Sequence, residues 1–262
     1  MTKLTNRIIL EAAMRQSAID ASCTADDFLR SENVIVTSER SPEARKYLEL
    51  PFDCNLISYG NNIVASINEN YRSIVERYIS ELSPYRCFET PAINILGTTL
   101  QKQGLKLCFM AEYFLPDVEH LCRLSCPYTL RIMESADFAP LYHLPEWSNA
   151  LCEKRKELDV LGGAAYDGNT LVGLAACSAD CNDMWQIGVD VLPEYRRRGI
   201  ASALTSSLAL EILGRGKIPF YCAAWSNIKS VRNAIKSGFR PAWIELTAKS
   251  AQFTDEICGI SL

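Results

Sequence analysis

The spacing of apolar residues changes several times along the chain, and each change marks an element. From Leu4 to Arg30 the apolar positions Ile8, Ile9, Ala12, Ala13 and Ile19 interleave with charge at helical spacing, and Thr24 with Asp27 reads as a second helix start. The β-branched run NVIVTSE predicts a short strand, and CNLISYGNNIVASI predicts extended chain broken by the turn Gly60-Asn61-Asn62. In YRSIVERYISEL, Ile74, Val75, Tyr78, Ile79 and Leu82 share one helical face. A helix from Ala92 to Gln103, ended by Gly104, and a strand LKLCFMAEYF, stopped by Leu115-Pro116-Asp117, complete the first half.

The stretch from Pro116 to Pro127 has no strand pattern and is bracketed by prolines, which places a domain boundary there and divides the chain into 1–126 and 127–262. Beyond it come a strand YTLRIM, a helix-like DFAPLYHLPEW, and the hairpin VLGGAAYDGNTLVGLAACSAD with its turn at Asp167-Gly168-Asn169. Then follow a strand MWQIGVDVL, a helix opening at three arginines, a strand IPFYCAAW, and a helix from Asn227 to about Ser237 with Gly238 at its C-terminal cap. Two extended runs, WIELTAKS and ICGISL, close the chain. This order predicts an α+β fold with a central mixed, mostly antiparallel twisted sheet flanked by helices.

Composition narrows the function. With 262 residues, 48% of them apolar, the chain can bury sizeable cores. The 27 basic and 31 acidic residues leave a net charge of -4, which argues against a protein that coats nucleic acid or an anionic membrane by bulk charge. Any anion must therefore be held locally. No run approaches the roughly 18 apolar residues of a membrane span, and Arg7, Glu11 and Arg15 interrupt the start where a signal peptide needs an apolar core. A cytoplasmic protein is expected. The 11 cysteines are scattered, as buried small hydrophobes in a reducing compartment are. Neither the cluster His120, Cys122, Cys126 nor the pair Cys177, Cys181 has the spacing of a familiar zinc site, so no metal is expected.

The segment VDVLPEYRRRGIASALTSSLALEIL, Val189 to Leu213, carries the chemistry. Ile200, Leu204, Leu208 and Ile212 recur every four residues, so one stripe packs on a sheet while the helix start is left facing a strand end. Its first amides have no intrahelical acceptor and, with the helix dipole, attract an anion. Gly199 lets that anion approach the backbone. Arginines have the wrong sign for a helix N-terminus unless a strongly negative ligand, a diphosphate, shares the place.

Arg196-Arg197-Arg198-Gly199-Ile200-Ala201 matches [QR]-x-x-G-x-[GA], the strand before it ends Val189-x-Val191-x-Pro193, and WSNIKSVRNAIKSGF follows. Together these resemble the GNAT superfamily of acyl-CoA-dependent N-acyltransferases over about Tyr128 to Leu262. The resemblance implies acetyl-CoA as co-substrate: Val189, Asp190 and Val191 offer backbone groups to the pantetheine arm, and the amides of Arg197 to Ala201, with Ser202 inside the helix, cradle the pyrophosphate. Asn227 matches a residue that bonds pantetheine, and Ser230 lies one turn on. Without the G-K-[ST] of a nucleotide loop, GRGKIP reads as a helix stop.

The implied reaction is direct attack of an amine on a thioester, which needs a base, a stabilised carbonyl oxygen and a proton for the leaving thiolate. The family's usual tyrosine and glutamate positions hold Ala234 and Trp185 here. Asp180 and Asp183, at the turn before the splayed strand, and Tyr221, beside the cofactor, stand as substitutes. The function expected is an N-acetyltransferase acting on a primary amine of a small molecule or protein; the alternative is a non-catalytic acyl-CoA sensor or interaction module. The first 126 residues, with a strand then a helix but no basic glycine loop, can be a degenerate copy of the same fold that serves as acceptor wall or homodimer surface.

Overall fold

The structure is a computed structural model that describes residues 4–259. In chain order the elements are α1 (Asn6–Ala21), β1 (Val34–Thr37), β2 (Cys54–Ser58), β3 (Val64–Ile67), α2 (Arg72–Ser80), α3 (Thr90–Gln101) and β4 (Leu105–Pro116). They continue as β5 (Thr129–Glu134), β6 (Asp159–Asp167), β7 (Thr170–Ser178), β8 (Met184–Val191), α4 (Ile200–Gly214), β9 (Ile218–Ala224), α5 (Ile228–Lys236), β10 (Phe239–Ser250) and α6 (Ala251–Cys258). Both units described below are α+β, with mixed sheets flanked by helices.

The chain divides into two compact units, each discontinuous in sequence: residues to Leu10 with Tyr113–Pro241, and Glu11–Glu112 with Ala242 onward. This partition differs from the halves drawn at the proline-bracketed stretch. The physical reason is β10, whose Leu246 and Ala248 complete the core formed by Leu56, Ala65, Val75 and Leu96 of the first half.

In the smaller unit β1, β3, β2 and β10 lie in that order. β1 pairs parallel with β3, and β2 pairs antiparallel with both β3 and β10. One face packs on α2 and α3 through Val75, Ile79, Leu96 and Leu100. Elsewhere in this unit Arg45, 3% exposed, is held between Asp20 and Glu245, and its guanidinium lies over Tyr47 and Trp243.

In the larger unit the order is β9-β8-β7-β6-β5. The β5–β6, β6–β7 and β7–β8 pairs are antiparallel, and β8–β9 is parallel. The hairpin turns at Gly168, which has the positive φ of 58° that its position demands. α4 lies on one sheet face with Ile200, Leu204, Leu208 and Ile212 buried. The packing is close enough that a Cβ on Gly173 would sit 2.6 Å from Ile200. Phe138, Trp147, Leu151, Leu174 and Ala176 form the core of a second cluster.

Two expectations are corrected. DFAPLYHLPEW makes only single 3-10 turns, Ser135–Asp137, Ala139–Leu141 and Pro145–Trp147; Pro140 and Pro145 remove the donors a continuous helix needs. The run ICGISL is not extended where it is described: α6, capped by Ser250, reaches Cys258, and residues 260–262 lie outside the described residues.

Candidate active site

β8 and β9 pair only at Met184–Ile218, Trp185–Pro219 and Gln186–Phe220. β8 runs on to Val191 and β9 to Ala224, so the two strands part after Gln186 and Phe220. On its other edge β8 stays paired with β7 as far as Val191–Gly173. Val189, Asp190 and Val191 therefore lie on the edge that β9 has left. Ile187, Val189 and Val191 pack with the α4 cluster. Gly188 and Asp190, of the other parity, meet the segment around Asn149.

That segment lies against β8 backbone to backbone: a Cβ on Gly188 would stand 1.9 Å from the Asn149 carbonyl oxygen. Asp190 holds it there, accepting from Asn149 N at 2.9 Å, Asn149 Nδ2 at 2.7 Å and Ala150 N at 2.9 Å. Asp159 accepts from Cys152 N at 3.0 Å and from the Tyr142 hydroxyl at 3.2 Å. Asp180, fully buried, is bound by Arg155 and by the Ser178 hydroxyl. Three aspartates from the sheet and its connections thus fasten one stretch, 142–155, whose backbone otherwise bonds only within short 3-10 turns. Burial raises the Asp159 carboxyl to about 6, against the pull of the Cys152 amide, Tyr142 and Arg155.

At the other end of β8 the chain turns into α4. Gly199 is its N-cap with φ 81°, and Arg197 also has a positive φ, 65°. The α4 N-terminus that follows offers backbone donors with no intrahelical acceptor, the feature of a helix start that suits an anion. A non-glycine residue at such a φ is strained by about 1–2 kcal/mol. A Cβ on Gly199 would meet only the Ser125 carbonyl oxygen, at 3.8 Å, so glycine is required by conformation and the approach is open.

The three arginines divide. Arg196 donates through Nε to the Val191 carbonyl at 3.1 Å. Arg198 donates to the Tyr128 hydroxyl at 2.6 Å and to the Glu194 carbonyl at 3.2 Å, with its guanidinium over the Tyr195 ring. Arg197 is exposed and has no bonded partner among the described residues. Ser202 is buried and turns its hydroxyl back to the Gly199 carbonyl at 3.1 Å, leaving only its amide for a ligand. Ile200 is in the core, and Ala201 is half-buried beside it.

Asn227 caps α5 by accepting from Ser230 N at 3.2 Å. The Ser230 hydroxyl lies 2.8 Å from the phenol of Tyr221, the first residue of β9 past its pairing with β8. Tyr221 is 4% exposed, and burial raises its phenol. Of the three expected proton-handling groups, only Tyr221 sits at the parting of the strands. Asp183 is exposed at the foot of β8, where its carbonyl accepts from Ile218 N, and Asp180 is committed to Arg155. Sequence reasoning missed Asp159, whose partners Cys152 and Tyr142 lie 7 and 17 residues away, and Asn149 and Tyr128, whose partners lie 41 and 70 residues away.

Among the described residues, Asp117, Glu119 and His120 bring possible metal ligands together, without Cys122 or Cys126. The Asp117 carboxylate is already held by Asn6 and His120.

The family described as GNAT acetyltransferase matches residues 116–242. The match begins at the end of β4, contains the parted strands, the arginine loop and α5, and stops within β10. Residues 116–242 belong to the GNAT superfamily. Solved structures with partial likeness include a GNAT-family acetyltransferase from Novosphingobium aromaticivorans, with 17% identity, 55% of this chain and 66% of that one covered, and a TM-score of 0.45. A GCN5-related N-acetyltransferase-like protein from Streptococcus suis shows 20% identity, 72% coverage of each chain and a TM-score of 0.44. A phosphinothricin acetyltransferase from Sinorhizobium meliloti, in complex with AcCoA, shows 18% identity, 47% of this chain and 88% of that one, and a TM-score of 0.36. No curated protein matches in sequence. No described helix is long and apolar enough to cross a membrane.

Proposed function

We propose that the chain is an acetyl-CoA-dependent N-acetyltransferase acting on a primary amine of a small molecule or protein. The observation that carries this reading is the parting of β8 from β9 directly before the left-handed pair Arg197 and Gly199. In this reading the free edge of Val189–Val191 bonds the pantetheine amides as a neighbouring strand would. The amides of Arg197 to Ser202 hold the diphosphate, with Arg197 as its free counter-charge and Arg196 and Arg198 as scaffold. Asn227 and Ser230 face the arm from α5.

Bound acetyl-CoA supplies an activated acyl group. The chain contributes an N–H of the parted strand to the carbonyl oxygen and two substrates held in register, an advantage that reaches 7–11 kcal/mol in well-oriented systems. Tyr221 is the proposed acid-side group; for the amine proton, the exposed Asp183 is proposed ahead of Asp180, whose carboxylate is bound by Arg155. The stretch 142–155, laid over Gly188, is the proposed acceptor wall. The loop after β3, Asn68–Tyr71, has no glycine or arginine, so one acetyl-CoA is expected per chain. The 11 free cysteines suit a reducing cytoplasm. A non-catalytic acyl-CoA sensor is favoured by one observation, the apolar Ala234 and Trp185 at the usual catalytic positions.

Calorimetric titration of acetyl-CoA into the wild type and Gly199→Glu tests the reading. Binding by the wild type, weakened by at least about 2 kcal/mol or thirtyfold in the variant, is expected. Equal binding, or none in either, rejects it. Tight binding with no turnover across an amine panel selects the sensor.

A further inference from the structure

We infer that the outer face of α5 docks the protein on an anionic lipid bilayer, lying on its surface without crossing it. The inference does not rest on the acetyl-CoA reading.

α5 has an inner and an outer side. Asn233 donates to Thr205 of α4, the Ser230 hydroxyl meets that of Tyr221 on β9, and Ala234 is fully buried, which fixes the inner side. Ile228, Arg232 and Ile235, at spacings of four and three, share the opposite side, with Lys229 and Lys236 beside them. All five are exposed, Ile228 by 52% and Ile235 by 55%, and Trp225, just before the helix, is 47% exposed. Three large apolar side chains so close together in water mark a surface that meets a partner.

The charge on this face is segregated. Residues 225–240 hold Lys229, Arg232, Lys236 and Arg240 and no acidic residue, in a chain whose net charge is -4. All four cations are exposed, and none forms an ion pair among the described residues. Only Lys236, in the last turn, suits the dipole of its own helix; Lys229 stands in the first turn, where a cation is disfavoured and no acidic residue offsets it.

A bilayer with acidic headgroups matches both features. A basic amphipathic helix lies along the interface with its apolar side chains at the boundary of headgroups and acyl chains and its cations among the phosphates and carboxylates. An exposed indole suits the same depth, its ring inward and its N–H toward the headgroups. An acidic protein would satisfy the cations but would also have to supply apolar holes for Trp225, Ile228 and Ile235. The net charge of -4 opposes attraction of the chain as a whole, so binding is confined to this face and falls with salt.

The test is co-sedimentation of the full chain with vesicles of phosphatidylcholine alone or of phosphatidylcholine with phosphatidylserine. Binding to the serine-lipid vesicles is expected, weakened about thirtyfold in Lys229→Gln/Lys236→Gln, since each cation near such a surface contributes about fivefold. Lys46→Gln/Lys102→Gln, which removes two exposed cations elsewhere, should bind like the wild type. Ile228→Ser/Ile235→Ser should bind a few fold more weakly, and the blue shift of tryptophan emission on binding should vanish in Trp225→Phe. No binding, equal binding to both kinds of vesicle, or equal losses in the two lysine pairs overturns the inference. So does competition by acetyl-CoA, which would give these cations to the cofactor. Salt-sensitive binding of poly-glutamate without binding to vesicles also overturns it and assigns the face to an acidic protein.

Discussion

At Arg197 the backbone takes a conformation that an L side chain disfavours, and Gly199 takes another two residues on. The run of three arginines is thereby sorted into two that brace the loop and one that faces solvent. Arg197→Ala should weaken acetyl-CoA binding by a few fold, and that loss should shrink with added salt, as expected for one exposed charge. Asp159 poses the opposite case, a carboxyl that burial raises to about 6. Unfolded, it ionises near 3.9; folded, it holds its proton to about pH 6. Its contribution to stability is therefore present below about pH 4 and lost as pH rises toward 6. Chemical denaturation of the wild type and Asp159→Asn across pH 4–7 should show their stability difference shifting by about 2 kcal/mol in that window. A flat difference would mean that Asp159 is not the titrating group.

At the scale of elements, the stretch 142–155 has only short 3-10 turns, and carboxylates hold it against the sheet through the amides of Asn149, Ala150 and Cys152. Asp190 carries most of this near the reacting strand, accepting three bonds. Asp190→Ala should cost about 2 kcal/mol in urea denaturation and raise hydrogen exchange at Asn149 and Ala150. Gly188→Ala tests the same contact sterically, since its Cβ has no room against Asn149; a loss of about 1–3 kcal/mol is expected. α4 is held differently. Its stripe is buried with small residues on its flanks, and Leu208→Ala should cost about 2–5 kcal/mol in the same measurement.

For the whole molecule the decisive feature is that each unit draws on distant parts of the chain. Cutting between 126 and 127 would take Leu246, Ala248 and Glu245 from the unit to which most of the first half belongs. Glu245 is the second carboxylate of the buried Arg45, whose loss would leave that charge half-compensated in a dry site. Fragments 1–126 and 127–262, expressed separately, should each give poorly dispersed amide spectra. A well-dispersed 1–126 fragment would show that β10 is dispensable.

What was legible in the sequence is local. The hairpin at Gly168, the α4 stripe, the cap at Asn227 and the glycine at 199 follow from residue type at fixed spacing, because helix, turn and cap geometry depend on neighbours within about four positions. The family motif is of the same kind, a stretch of backbone with one required glycine. Only the tertiary structure decided that Arg198 turns to Tyr128, that Asp180 serves Arg155, that Asp190 holds Asn149, and that Leu246 and Ala248 of β10 complete a core begun at Cys54 and Leu56. A side chain's partner is chosen by what folding brings within about 3 Å, and one sequence carries no signal of that distance.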